Sequence, residues 1–390
     1  MPPHSCYKQF LTPPFARSLF TSLDSTPLAS HRCYRLSNMS TSRRSSTKSA
    51  KGSKTIAVPR PSSSVILISP QNQVLLLQRV KTSSSFPSAH VFPGGNVSTF
   101  HDGEVAPQGE LSRHFDSEQY RLAAVRETFE ESGILLARNN GFGRLIEVPQ
   151  DELNEGRKKV HSGEIAFTKW LSQKGGRADL DGLIPFTRWV TPSNLAKRFT
   201  TQMYIYMLPL DRSTVADGIA SSSDEDGAGT MIPVPTHDGG IEHTAARFLP
   251  PSTWLRLAQS GRIILFPPQF FLLHLLSRFL SPDNPSASTP TPSVEELTQR
   301  RKDMLAFVQS GNPSWGEKCI SPTVLATPSG KRREDGRVVL GLDMPGPELE
   351  GKRKGESELV VLVEFKKEGP RRIEVRGKKE VLSEGREAKL

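Results

Sequence analysis

Cysteine is scarce in this chain of 390 residues: only Cys6, Cys33 and Cys319 occur, with no CxxC and no pairing pattern. That excludes a disulfide framework, argues against a structural zinc site and fits a reducing compartment. The nine histidines likewise form no HExxH or similar ligand spacing. Apolar residues reach only 35%, beside 31 prolines and 30 glycines, so part of the chain is linker or tail rather than core. The most apolar stretch, 263–280, is interrupted by Pro267, Pro268, His274 and Arg278, which excludes a membrane span and leaves a buried helix after Gln269. No internal repeat is visible. The net charge is +10, with lysine and arginine dense at both ends. No stretch interleaves them with aromatics as a nucleic-acid surface requires, so no nucleic-acid partner is expected. Some positive charge still suits a polyanionic small molecule.

Acidic residues are missing from one region altogether: Asp24 is the only one before Asp102. Residues 1–60, rich in Ser, Thr, Arg and Pro, therefore read as a disordered leader or an organellar transit peptide, with Met39 as an alternative start.

The carboxylates reappear concentrated in one segment, Glu118 to Ile134 (EQYRLAAVRETFEESGI). Leu122, Val125 and Phe129 recur at helical spacing, Asp116 or Ser117 can cap the start, and Gly133 can close the end. Glu127, Glu130 and Glu131 then share one side of the helix at i, i+3 and i+4. Carboxylates crowded in this way repel one another, and a hard, oxygen-seeking cation such as Mg²⁺ or Mn²⁺ makes the arrangement favourable. Arg126 can orient one of them through a bidentate pair. Upstream, Phe92-Pro93-Gly94-Gly95 forms a turn whose glycines let the backbone approach a ligand.

Along the chain, Val65–Ile68 and Val74–Leu77 read as a hairpin about Ser69–Gln73. Residues 96–117 read as a surface loop and 150–175 as helices. Strands are expected to end at Trp189–Pro192 and to run from Arg198 to Leu208. Residues 211–240 are a low-complexity loop. A helix over Pro251–Ser260 begun by Ser252, a linker over 281–293 and a helix through Phe307 follow. Strands are expected at Val338–Leu340 and Leu359–Phe365. The domain reading is thus a leader (1–60), a catalytic-type domain (61–280) with insert loops 96–117 and 211–240, and a C-terminal extension (281–390).

The helix spells R-E-T-F-E-E-S-G-I, with Glu118 eight residues before Arg126. This resembles the Nudix box, and Gly95, Glu118, Arg126, Glu127, Glu130, Glu131, Gly133 and Ile134 fall on it. Two departures stand out: 22 residues separate Gly95 from Glu118, where the family has five, and Thr128 replaces an aliphatic residue. The enlarged box is similar to the branch of Nudix hydrolases that resembles peroxisomal acyl-CoA diphosphatases. Val74–Val97, Trp189–Phe199 and the segment ending at Phe270 match that branch too.

The resemblance implies an α/β fold, a Nudix-type α/β/α sandwich with a mixed central sheet. It implies an Mg²⁺-dependent (or Mn²⁺-dependent) diphosphatase cleaving CoA or acyl-CoA to 3′,5′-ADP and a phosphopantetheine. Hydrolysis of NADH or ADP-ribose, and non-catalytic nucleotide binding, are the alternatives. Glu127 and Glu131 would ligate the metal with the Gly94 carbonyl, and Glu130 would hold a metal-bound water. The general base is left open between Glu130 and the distal Glu242. Arg79, Lys197 and Arg198 are candidates for a substrate phosphate, or are simply solvated. Finally, Ala388-Lys389-Leu390 is a variant of the Ser-Lys-Leu signal read by the peroxisomal import receptor. Leu382–Gly385 before it reads as exposed and flexible. The peroxisome is the expected address, with the mitochondrion as alternative through the acid-poor leader.

Overall fold

The computed structural model describes residues 56–80, 88–139, 142–210, 243–281, 292–326 and 333–387, and Lys54–Leu390 form one compact unit. Residues 1–55 of the leader, the loop 211–240 with Glu242, and the terminal Ala388-Lys389-Leu390 lie outside the described residues. In chain order the strands are β1 Arg60–Ile68, β2 Val74–Arg79, β3 His90–Val91, β4 Gly94–Asn96, β5 Ala137–Asn139, β6 Phe142–Leu145, β7 Gly176–Ala178 and β8 Ile184–Val190. They continue with β9 Phe199–Met207, β10 His243–Leu249, β11 Cys319–Ile320, β12 Thr323–Val324, β13 Val338–Leu342, β14 Glu356–Lys366 and β15 Gly369–Gly377. The helices are α1 Thr99–Asp102, α2 Glu118–Ser132, α3 Gln150–His161, α4 Phe167–Gln173, α5 Pro251–Gln259, α6 Pro267–Leu280, α7 Val294–Gln309 and α8 Lys378–Glu387.

The central sheet runs β10-β2-β1-β9-β8-β11, with β3 added to β2 and β4 to β1. It is mixed: β1 lies parallel to β9 and β11 parallel to β8, while the other pairs are antiparallel. The hairpin turn holds Asn72 at φ 59°, a conformation its short amide side chain tolerates. Alternation along β1 and β2 sends side chains to opposite faces. Val65, Leu67, Leu75 and Leu77 pack with α2 and α4. Ile66, Ile68, Val74 and Leu76 pack with α5 and α6 on the other side. Helices cover both faces, giving the α/β sandwich the sequence implies.

The structure bears on three expectations. First, the segment after 280, read as a C-terminal extension, packs onto the same core as the residues before it. β11 joins the central sheet, and Trp315, Leu340, Val361, Val363 and Ile373 enter the same core as α6, because a sheet edge and an apolar helix face both needed cover. Second, the insert 96–117 is not a plain surface loop: it contains α1 and a 3₁₀ turn at Leu111–His114, and it buries Asp102 and His114. Third, Leu382–Gly385 belongs to α8.

Candidate active site

α2 occupies Glu118–Ser132 as the apolar spacing requires, and Gly133 closes it at φ 75° with its N–H donated to the Phe129 carbonyl. Ser117 is the residue before the first turn but makes no capping bond; its hydroxyl donates instead to Gln119 Oε1. Thr128, the departure at an apolar position, is fully buried and tolerated because its hydroxyl donates to the Ala124 carbonyl at 2.8 Å.

β4 brings the Gly94-Gly95 pair against this helix. Gly94 sits at φ 155°, where a side chain would strike the Ser63 carbonyl, and its N–H donates to Glu131 Oε2 at 2.8 Å. A Cβ on Gly95 would stand about 2.5 Å from the Glu127 carboxylate. Both glycines are therefore demanded by contact with the acidic face.

Arg126 is the centre of the cluster. Its guanidinium, 5% exposed, takes Asp102 bidentately through Nε (3.0 Å) and Nη2 (2.8 Å). Its Nη1 bridges Glu127 Oε1 and Glu130 Oε1, each at 2.9 Å, and Nη2 also donates to the Asn96 carbonyl. The expected bidentate pair thus exists, but with Asp102 from the insert rather than with a member of the triplet. Asp102 itself is locked by the Ser98 N–H at 2.8 Å. Glu118, by contrast, is exposed in the first turn of α2.

The carboxylates differ in their surroundings. Burial pushes the Glu127 carboxyl up to about 7 against the pull of Arg126, with Glu130 and Asp102 adding to the rise. For Glu130, burial opposes ionisation, yet bonds to His161 and Arg126 outweigh it and hold the carboxyl below its usual range. His161 Nδ1 lies 3.2 Å from Glu130 Oε2, and Arg157 of the same helix donates to the Glu130 carbonyl at 2.6 and 3.1 Å. Glu131 Oε1 lies 3.7 Å from Nε2 of His243, a side chain fully enclosed on β10. Burial, with the charge of Arg79 beside it, pushes His243 down to about 3 and keeps it neutral.

Of the other substrate candidates, Arg79 reaches the site's edge, opposite His243 in the β2–β10 ladder. Arg198 does not join it: its buried guanidinium is bound to Glu348 and to the carbonyls of Thr191 and Ala57. Lys197 is exposed. Asp102, His161 and His243 were missed by sequence reasoning. The one available signal was Asp102 as the first acidic residue after a run of 77 without one, counted from Asp24.

Three carboxylates, Asp102, Glu127 and Glu130, thus surround one buried guanidinium, and Glu131 stands beside them against the Gly94 N–H. This all-oxygen, charge-rich set fits a hard dication in donor type and charge. The side chains are not gathered as ligands: among the described residues no three His, Cys, Asp or Glu stand together as a metal set, since Arg126 and the Gly94 N–H hold their oxygens.

The sequence pattern of the NUDT19 Nudix domain matches residues 108–219. Over that segment the chain is similar to Nudix proteins. It is 28% identical over 220 residues to "Putative nudix hydrolase 7" of Caenorhabditis elegans, covering 56% of this chain and 61% of that protein. It is also 28% identical over 258 residues to "Acyl-coenzyme A diphosphatase NUDT19" of Gallus gallus, covering 54% and 62% respectively. Less than two thirds of either relative is therefore spanned. A crystal structure of a Nudix hydrolase from Alicyclobacillus acidocaldarius superposes with TM-score 0.44 at 22% identity, covering 57% of this chain and 93% of that one.

Proposed function

We propose that this protein is a divalent-metal-dependent diphosphatase that cleaves CoA or acyl-CoA to 3′,5′-ADP and a phosphopantetheine. The observation that carries the reading is the carboxylate face of α2, held by Arg126 against the Gly94-Gly95 strand. Relatives named acyl-coenzyme A diphosphatase support the choice of substrate.

Glu127 and Glu131, with the Gly94 carbonyl, would hold Mg²⁺ or Mn²⁺, which supplies charge neutralisation at the diphosphate and an activated water. The protein's own part is positioning. Arg126 fixes Glu127 and Glu130, and Asp102 fixes Arg126. Glu130, kept ionised beside His161, is suited to accept a proton. Glu242 remains the alternative base. Arg79 adds positive charge near the site for a polyanionic substrate.

Two other readings, hydrolysis of NADH or ADP-ribose and binding without turnover, are separated by one experiment. Purified protein is assayed with Mg²⁺ or Mn²⁺ against CoA, acyl-CoA, NADH and ADP-ribose, with product identification. CoA-type cleavage that chelation abolishes and Glu131→Gln lowers by ~10²-fold or more is expected. Preference for NADH or ADP-ribose overturns the substrate, and absence of turnover with all four overturns the enzyme.

A further inference from the structure

A second charged region lies apart from the carboxylate face. A cavity of about 420 Å³ opens between the insert, β8 and the segment after α7, within the size range of small-molecule sites. None of Asp102, Glu127, Glu130 or Glu131 lines it. Its wall carries Arg188, Lys318 and Arg353 beside apolar Phe115, Val308 and Leu349.

Arg188 is the unusual member. It is only 4% exposed, yet among the described residues no carboxylate pairs with it. Its Nη1 donates to Thr200 Oγ1 at 3.1 Å, and its guanidinium carbon sits 4.5 Å from the Tyr120 ring centroid. Its Nη2 is buried with no hydrogen-bond partner. A buried cation without a countercharge is costly, and a protein normally pairs it. Among the described residues Arg353 pairs with no carboxylate; it reaches the Glu317 carbonyl at 3.5 Å and stacks on Phe115.

The two carboxylates on the wall are engaged elsewhere. Asp116 is held by Arg121 and by the Tyr204 hydroxyl, and Glu317 accepts from Ser314. Lys318 has its own partner in Glu356. Two guanidinium groups are therefore left over, and a doubly charged tetrahedral anion matches them better than a single carboxylate does. The apolar wall suits an organic body attached to that anion.

We propose that this cavity binds a phosphomonoester, with Arg188 and Arg353 as its cationic anchors. The inference is independent of the diphosphatase reading and can fail or stand without it.

The test is isothermal titration of the full chain in metal-free buffer, where the carboxylate face repels anions, with inorganic phosphate, 5′-AMP and adenosine as probes. Saturable binding of phosphate or 5′-AMP, but not adenosine, is expected. Tighter binding of 5′-AMP assigns the site to a nucleotide phosphate, and equal or tighter binding of phosphate assigns it to the free anion. Arg353→Gln should weaken binding by about tenfold or more, or ~1.4 kcal/mol. Arg188→Met should do the same if its circular dichroism matches wild type, and Arg353→Gln decides the matter if it does not. Glu131→Gln should leave binding intact. No saturable binding, binding indifferent to the arginine substitutions, or binding lost in Glu131→Gln overturns the proposal.

Discussion

Asp102 grips Arg126 with both carboxylate oxygens, across 24 residues of sequence and with both side chains almost wholly enclosed. The other side of the same guanidinium holds Glu127 and Glu130. An acid inside the enlarged box therefore sets the orientation of two members of the acidic triplet, while Glu118, which falls on the box by spacing, stands in solvent.

Removing the Asp102 charge leaves Arg126 buried with only Glu127 and Glu130 as partners and weakens two buried hydrogen bonds. Asp102→Asn is expected to lower stability by roughly 1–3 kcal/mol, whereas Glu118→Gln should change it by no more than ~0.5 kcal/mol. Urea denaturation of the two variants measures the contrast. Equal, small effects would mean that Arg126 does not depend on the insert.

Much of this was legible in the sequence, for identifiable reasons. α2 declared itself through Leu122, Val125, Phe129 and Gly133, and the hairpin through two apolar runs about a polar turn. What escaped were contacts between segments far apart in sequence. Asp102 looked like one polar residue in a polar insert, since nothing local announces that it turns inward to Arg126. His243 was overlooked because the neighbouring Glu242 carried the more familiar chemistry. β15, spelled GPRRIEVRG, hid its strand character under charge, yet it pairs along β14 and buries Ile373. The 280/281 boundary looked natural because a Pro/Ser/Thr segment sits there; that composition says nothing about what the chain packs against afterwards.

Gly95 makes a second, sharper test of the acidic face. Alanine at this position places a methyl group about 2.5 Å from the Glu127 carboxylate, and the carboxylate must move. Displacements of that size in positioning groups cost ~10²-fold in rate. Gly95→Ala should therefore keep its circular dichroism and lose kcat by that order. Wild-type turnover would separate Glu127 from the reaction.

His114 makes stability sensitive to mild acid. Burial, reinforced by the neighbouring Arg188, pushes its imidazole down to about 4, and its Nδ1 is 3.1 Å from Thr200 Oγ1. In the unfolded chain a histidine titrates near 6.5. Between those values the unfolded state binds the extra proton, so this contribution is complete above about 6.5 and is lost as pH falls toward 4. Melting temperatures of wild type and His114→Asn, followed from pH 7 to pH 4, should diverge least at the acid end. Parallel curves would exclude the histidine as the cause.

The last prediction concerns how the C-terminal part is fastened. Arg301 of α7 reaches back over two hundred residues to the β1–β2 turn. It donates to the Ser69 carbonyl (2.7 Å), to Asn72 Oδ1 (2.7 Å) and to the Leu208 carbonyl (2.8 Å). Asn72 returns a bond from Nδ2 to the Leu297 carbonyl at 3.1 Å. Arg301 is 8% exposed, and burial pushes its guanidinium down to about 10. Arg301→Met would strip three acceptors of their donor, each worth ~1–3 kcal/mol when left unsatisfied. Relief from burying a cation offsets part of that cost, so a net loss of roughly 2–4 kcal/mol is expected. Lys302→Met, on the exposed side of the same helix, should stay within ~0.5 kcal/mol. Chemical denaturation of both variants decides the point. If Arg301→Met proves as stable as Lys302→Met, α7 is not what holds the hairpin, and the C-terminal segment is a looser attachment than its place in the core requires.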